Sequence, residues 1–99
     1  IITGHYHFYE RTCPLNDGIC VQGVLTPENW GIVHLNVGTG GRHLNKPLKK
    51  SNKWTKFAAF KHGYGRLEII SETQVKWKFK ENNSGEVIDS EEYQINKKF

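Results

Sequence analysis

The sequence contains no methionine, no internal repeat and no apolar run near the roughly 20 residues that a membrane-spanning helix needs. We therefore expect no membrane among its partners. It begins Ile1-Ile2-Thr3-Gly4, without an initiator methionine or the basic start of a signal peptide. These absences predict a processed or truncated piece of a longer protein. With 36% hydrophobic and 24% charged residues, the piece is expected to form a single unit over residues 1–99.

Helical periodicity is also missing, whereas the alternation typical of strands is frequent. Residues 73–80 are the clearest case, because Val75, Trp77 and Phe79 share one face and lysines occupy the other. This pattern predicts a half-buried antiparallel strand with one solvated face. A buried strand ending at Thr3 is expected as well. The other predicted segments are strands at 31–38 and 64–70, a turn at 82–85, and short final strands at 86–88 and 92–95.

Cysteine is scarce, and its two copies lie close together at Cys13 and Cys20. Asn16, Asp17 and Gly18 between them tolerate the left-handed backbone of a tight turn, which would bring the cysteines face to face. A disulfide closing so short a loop would stabilise the fold by about 2–3 kcal/mol. It would also indicate an oxidising compartment. The alternative is a pair of reduced cysteines in a cytosolic protein.

Acidic residues are absent from Arg42 to Arg66, a stretch that holds eight lysine or arginine residues. With Gly40, Gly41 and Pro47, this composition predicts a basic loop at about residues 39–55. Such a block can attract nucleic acid or another polyanion. No aromatic stacking platform accompanies it, so we interpret it as a solvated loop and do not expect nucleic acid as a partner.

Two histidines, His5 and His7, follow the strand-like start and Gly4. In an extended backbone residues i and i+2 project to the same side, and imidazoles suit Zn, Fe and Mn. None of the other three histidines has the spacing of a further ligand. By spacing alone, the pair is therefore more simply interpreted as two structural histidines at a strand end.

The surrounding residues change this interpretation. Gly4-His5-Tyr6-His7 followed by Phe8-Tyr9-Glu10-Arg11 resembles the GHxH-x-YER segment of purple acid phosphatases, which are calcineurin-like metallophosphoesterases. The basic loop matches that family poorly. The family's usual Asn-x-Thr-His segment is Ser71-Glu72-Thr73-Gln74 in this chain. The other matching positions follow in the family's order at residues 32–41 and 60–65, Trp77, Asn83, Gly85, Asp89-Ser90 and Asn96.

The resemblance implies an α+β fold, in which two facing β-sheets are flanked by helices. This chain would be the β-rich C-terminal part of that two-sheet sandwich, built mostly from antiparallel strands and hairpins. The resemblance further implies that His5 binds a divalent metal (Zn, Fe or Mn) and that His7 binds Fe(III). Glu10 and Arg11 would either orient an imidazole through hydrogen bonds or form an ordinary surface pair.

The family's Asp-x-Gly, Gly-Asp-x-x-Tyr and Gly-Asn-His-Glu/Asp motifs do not occur in the chain. The resemblance therefore implies a longer enzyme that hydrolyses phosphomonoesters with metal-activated hydroxide, whereas this piece alone is expected to be inactive and to hold no metal tightly. The catalytic residues stay unknown. The alternatives are a small basic β-domain that binds nucleic acid or another polyanion, and a relative that has lost catalysis.

Further expectations concern partners and location. A phosphate-ester substrate, the missing N-terminal part of the same domain and a second copy in a homodimer are the expected partners. Asn82-Asn83-Ser84 is an N-glycosylation sequon in a predicted surface turn, so Asn82 is a candidate glycan site. Together with the cysteines, the sequon predicts a secreted, vacuolar or lysosomal protein.

Overall fold

A computed structural model of the chain describes residues 1–4, 6–23, 25–41, 43–44 and 53–95. These residues contain strands and turns but no helix, so none of their segments could cross a membrane as a helix. The strands are β1 (Ile2–Thr3), β2 (Tyr9–Thr12), β3 (Leu15–Asn16), β4 (Ile19–Cys20), β5 (Leu35–Val37), β6 (Thr55–Ala59), β7 (Gly63–Ser71), β8 (Gln74–Glu81) and β9 (Val87–Gln94).

A four-stranded sheet carries the N-terminal part of the chain in the order β1-β5-β2-β6. The β1–β5 pair is parallel, while β2 runs antiparallel to both of its neighbours. The strand expected before Gly4 is present as β1, but the expectation that it is buried was wrong. Ile1 and Ile2 are 61% and 54% exposed. The reason is that β1 forms the edge of the sheet and pairs with β5 alone.

A three-stranded antiparallel sheet, β7-β8-β9, forms the C-terminal part. It confirms the predicted strands at 64–70 and 73–80 within a residue or so at each end, and the turn at 82–85. The two short final strands are instead one strand, β9. Acidic residues in its middle weaken the apolar alternation, and one of them, Asp89, is buried by an ion pair that the local sequence does not reveal.

The two sheets pack face to face around Tyr9, Leu35, Trp77 and Phe79. The rings of Tyr9 and Phe79 stack with centroids 4.0 Å apart, which joins the centre of β2 to the centre of β8. Trp77 and Phe79 are 3% and 0% exposed, so the alternation of β8 does mark its buried face. Burying an apolar side chain of this size stabilises the fold by about 1.5–3 kcal/mol.

The cysteines flank the two-stranded hairpin β3–β4. Asp17 and Gly18 form its turn with φ of 52° and 74°, the left-handed backbone that these residue types tolerate. Cys13 and Cys20 are joined by a disulfide, with Cα atoms 5.6 Å apart.

One strand falls at the end of the predicted basic loop. Residue 42 and residues 45–52 of that loop lie outside the described residues, but β6 begins at Thr55 and pairs with β2. Its sequence, Thr-Lys-Phe-Ala-Ala, offers a single large apolar residue, so the alternation signal is weak. Tertiary pairing with β2 therefore determines this strand more than its own pattern does.

Candidate functional site

The candidate site lies where the chain enters β2, just after the His-x-His segment. Asn36 of β5 holds this entry by donating from Nδ2 to the carbonyl oxygens of Tyr6 at 2.9 Å and Phe8 at 2.7 Å. The Gly38 amide donates to the Phe8 carbonyl at 3.2 Å. A Cβ atom at Gly38 would lie 1.8 Å from the Tyr6 carbonyl oxygen, so only glycine permits this approach. The backbone on both sides of His7 is therefore fixed by β5.

The His7 ring has a defined hydrogen bond of its own. Its Nδ1 lies 3.0 Å from the carbonyl oxygen of His43. A carbonyl oxygen only accepts, so Nδ1 is the donor in this contact. The His43 ring stands edge-on to the His7 ring, with centroids 5.6 Å apart. Histidines that bind metals commonly donate their other ring N–H to a carbonyl in this way, so His7 fits a metal ligand acting through Nε2.

The rest of a metal site is not assembled by the residues that can be described. His5 lies outside them, and its predicted role stays a prediction. Within the described ranges, no group of three or more histidine, cysteine, aspartate or glutamate side chains could hold a metal ion. His34 is in a different setting, because its amide donates to Thr12 Oγ1 at the far end of β2. The described residues thus assemble no complete metal site, and the predicted role of His7 as a ligand stays a prediction as well.

Glu10 and Arg11 have partners in other strands. Glu10 accepts a hydrogen bond from the Thr55 hydroxyl of β6. Arg11 is only 9% exposed, and it donates to Asp89 from Nε at 2.8 Å and from Nη2 at 3.0 Å. A further contact of 3.3 Å joins Arg11 Nη1 to Glu91. Arg11 is therefore no surface residue, and the idea that this pair orients an imidazole stays a prediction.

A buried polar network that the sequence did not reveal lies behind the site. Trp77 Nε1 donates to the Tyr9 hydroxyl at 2.7 Å, and that hydroxyl donates to Asp89 Oδ2. The same carboxylate receives both bonds from Arg11. Tyr9 and Arg11 lie two and four residues after His7, and their side chains are on the same face of β2. The network therefore fixes the strand that follows the candidate ligand onto β8 and β9.

The environment of this network shifts the protonation of its members. Burial raises the pKa of the Tyr9 hydroxyl above its usual value of 10.0, and the hydrogen bond to Asp89 raises it further. Burial lowers the pKa of Arg11, but the hydrogen bond and charge of Asp89 outweigh it, so that pKa lies above its usual value. Both groups therefore hold their protons more tightly in the folded protein than in the unfolded chain.

The raised pKa of Tyr9 predicts a loss of stability in alkali. The unfolded chain releases the Tyr9 proton at about pH 10 while the folded chain retains it, so the free energy of unfolding is complete below that pH and falls above it. Urea unfolding at several pH values between about 8 and 11 measures this slope. Tyr9→Phe should make the slope shallower, although Tyr93, whose pKa burial also raises, keeps part of it.

The matched control is Tyr64→Phe, because Tyr64 is 51% exposed on β7. This variant should retain the slope of the unmodified chain. If the free energy of unfolding falls equally steeply above about pH 10 in Tyr9→Phe and in the unmodified chain, Tyr9 is not the source of the alkaline loss of stability.

Two cations of the described part of the basic stretch have carboxylates nearby. Lys61 lies 3.9 Å from Glu81, and Arg66 lies 3.5 Å from Glu68. Carboxylates next to both cations weaken their attraction for phosphate groups. Four of the eight cations lie outside the described residues: Arg42, Lys46, Lys49 and Lys50.

Comparison with known proteins places this geometry in context. The family model described as iron/zinc purple acid phosphatase-like protein C matches residues 31–90. Over 99 aligned residues the chain is 30% identical to purple acid phosphatase 18 of Arabidopsis thaliana, covering 97% of this chain and 21% of that protein. A nucleotide pyrophosphatase/phosphodiesterase of Hordeum vulgare is 31% identical, with 88% of this chain and 24% of that protein covered.

Not every relative is named as an active enzyme. The chain is 30% identical to a protein named probable inactive purple acid phosphatase 27 of Arabidopsis thaliana, over 88% of this chain and 15% of that protein. Among solved structures, a purple acid phosphatase from yellow lupin (Lupinus luteus) seeds superimposes with a TM-score of 0.84 at 26% identity, covering 95% of this chain and 17% of that one. The chain thus spans less than a quarter of the length of each of these relatives.

Proposed function

Because the chain belongs to the iron/zinc purple acid phosphatase-like family, we propose that it is the C-terminal portion of a dinuclear-metal acid phosphatase that hydrolyses phosphomonoesters. The observation that carries the proposal is the hydrogen bond from His7 Nδ1 to the His43 carbonyl, in a segment with the family's GHxH pattern. With Nδ1 as the donor, Nε2 is the ring nitrogen that would bind the metal.

In the proposed enzyme His5 holds a divalent metal (Zn, Fe or Mn) and His7 holds Fe(III), while the remaining ligands come from chain that precedes Ile1. A metal pair, when bound, neutralises charge on the phosphoryl group and lowers the pKa of bound water. The residues of this chain orient the ligands. The His43 carbonyl sets the tautomer of His7, and Asn36 and Gly38 hold the backbone on either side of it.

The network behind β2 contributes rigidity. A metal site tolerates little displacement of its ligands, so the strand that follows His7 must stay in place. Tyr9 and Arg11 hold that strand through Asp89, whose carboxylate receives hydrogen bonds from both. These side chains act through the backbone of β2 and are positioning residues.

A relative without catalysis is the second candidate, since one similar protein is named as inactive. The match of Gly4-His5-Tyr6-His7 to the family's GHxH pattern supports the enzyme. A phosphate-ester substrate, the preceding part of the same domain and a homodimer are proposed as partners. The disulfide between Cys13 and Cys20 supports a secreted, vacuolar or lysosomal location.

Hydrolysis of p-nitrophenyl phosphate tests the proposal. We expect no turnover above background from the 99-residue chain, because it lacks most of the ligands. A longer product of the same gene that includes the residues before Ile1 should show metal-dependent turnover. His7→Ala should abolish that turnover by removing a ligand.

The control for this assay is His34→Ala, which changes a histidine at the other end of the sheet and should retain the activity. Turnover by the isolated chain would contradict the claim that activity needs the residues before Ile1. An inactive longer product with its ligands intact would instead favour the non-catalytic relative.

A further inference from the structure

The turn between β8 and β9 presents an asparagine that the proposed function does not use. Asn82, Asn83 and Ser84 are all exposed, and Gly85 closes the turn with φ of 70°. The Asn82 amide nitrogen donates to the His62 carbonyl at 2.9 Å, and the Gly85 amide donates to the Glu81 carbonyl at 2.9 Å. The Ser84 hydroxyl also accepts from the Glu86 amide at 3.2 Å, so it maintains the turn together with the backbone bonds. No hydrogen bond involving the Asn82 side chain occurs among the described residues.

We propose that Asn82 carries an N-linked glycan. Asn82-Asn83-Ser84 is the only Asn-x-Ser/Thr triplet in the 99 residues, and its middle residue is not proline. The Asn82 side-chain amide makes no hydrogen bond to the described residues, so a sugar attached to Nδ2 would displace no such bond. A glycan at the end of a hairpin also points into solvent, where its bulk costs the fold nothing.

The disulfide supplies a second, independent argument. N-glycans are added in the oxidising lumen of the secretory pathway, and a disulfide between Cys13 and Cys20 forms and persists in the same compartment. The bridge and the sequon lie in different sheets and have no residue in common. A chain that is oxidised at Cys13 and Cys20 in this lumen would also meet the enzyme that modifies Asn82.

The modification is a group transfer without change of oxidation state. The Asn82 Nδ2 attacks the anomeric carbon of an oligosaccharide bound to a lipid diphosphate. A carbon–nitrogen bond forms, the carbon–oxygen bond to the diphosphate breaks, and Nδ2 loses one proton to a base of the transferase. The lipid diphosphate leaves. The Ser84 hydroxyl, two residues on, completes the triplet that the transferase recognises.

The glycan would stand at the same end of the two sheets as the candidate site. Asn82 is bonded to His62, and the next residue, Gly63, exchanges two hydrogen bonds with Thr39: one from its amide at 3.2 Å and one to its carbonyl at 2.9 Å. Thr39 directly follows Gly38, which contacts the His7 segment. The sugar would thus extend beside the rim of that site, while the apolar side chains near the other end of β7, such as Ile69, stay uncovered.

Expression behind a cleavable secretion signal in eukaryotic cells tests the inference. Both medium and cell lysate are analysed, because glycan transfer precedes secretion. We expect one slower-migrating band that peptide-N-glycosidase F converts to the mobility of the unmodified chain. Asn82→Gln and Ser84→Ala should each abolish the shift, and Ser84→Thr should keep it.

The matched control is Asn83→Gln, which alters an exposed neighbour in the same turn and leaves a valid triplet, so its band should still shift. An unshifted chain that has been protected inside the secretory compartment, with its disulfide formed, would overturn the proposal. So would a shift that survives Asn82→Gln. Neither result depends on phosphatase activity, so failure here is distinct from failure of the proposed function.

Discussion

Asp89→Ala should lower the free energy of unfolding by about 3–5 kcal/mol, because it leaves a buried guanidinium without its counter-charge. Arg11 and Asp89 are 9% and 7% exposed, and two hydrogen bonds join them. The substitution also takes away the acceptor of the Tyr9 hydroxyl. Domains of this size have only about 5–15 kcal/mol of stability, so the loss approaches unfolding. Urea denaturation monitored by tryptophan fluorescence measures it.

Glu91→Gln is the matched control, because it changes an acidic residue of the same strand that contacts the same arginine. The Glu91 side chain is 44% exposed and lies 3.3 Å from Arg11, so its loss should cost about 0–1 kcal/mol. Equal effects of the two substitutions, or a cost below about 1 kcal/mol for Asp89→Ala, would show that the buried pair does not stabilise the fold as described.

Gly38→Ala should destabilise the chain by about 1–3 kcal/mol or more and displace the segment that carries His7. The added Cβ atom would lie 1.8 Å from the Tyr6 carbonyl oxygen, which is a backbone atom and cannot rotate away. Either the end of β5 or the entry to β2 must move. Thermal unfolding measures the cost, and the chemical shifts of the His7 ring report the displacement.

Gly40→Ala tests the same type of change two residues further on. A Cβ atom at Gly40 would meet nothing within 4 Å, so this variant should stay within about 0.5 kcal/mol of the unmodified chain. If Gly38→Ala leaves both the stability and the His7 ring unchanged, the close approach of β5 to the His7 segment is not a constraint on the fold.

The strands that the sequence predicts best are those whose pattern is local. β8 alternates large apolar residues with lysines, and the β3–β4 turn contains the residue types that its φ values require. β9 is harder, because Asp89 occupies a buried position that would normally hold an apolar residue. Its burial depends on Arg11, 78 residues earlier, and no local pattern encodes a pairing over that separation.

In the candidate site, too, some features follow from the local sequence and others depend on distant residues. The His-x-His pattern and its neighbours point to His7, and they do so through a family resemblance rather than through spacing alone. The hydrogen bond that defines the tautomer of His7 comes from a backbone carbonyl 36 residues away. Every residue type carries such a carbonyl, so the identity of the residue at position 43 could not reveal it. Tertiary structure is needed to find this part of the site.

The most direct test of the account is a titration of the chain with Co(II), followed by long-range proton–nitrogen NMR of the five histidine rings. Before metal is added, the His7 ring should have the tautomer protonated at Nδ1. Weak binding should then broaden the His5 and His7 resonances first, and His7→Ala should remove that selectivity. Equal broadening of His34 and His62, or a His7 ring protonated at Nε2, would contradict the claim that His7 is a metal ligand held by the His43 carbonyl.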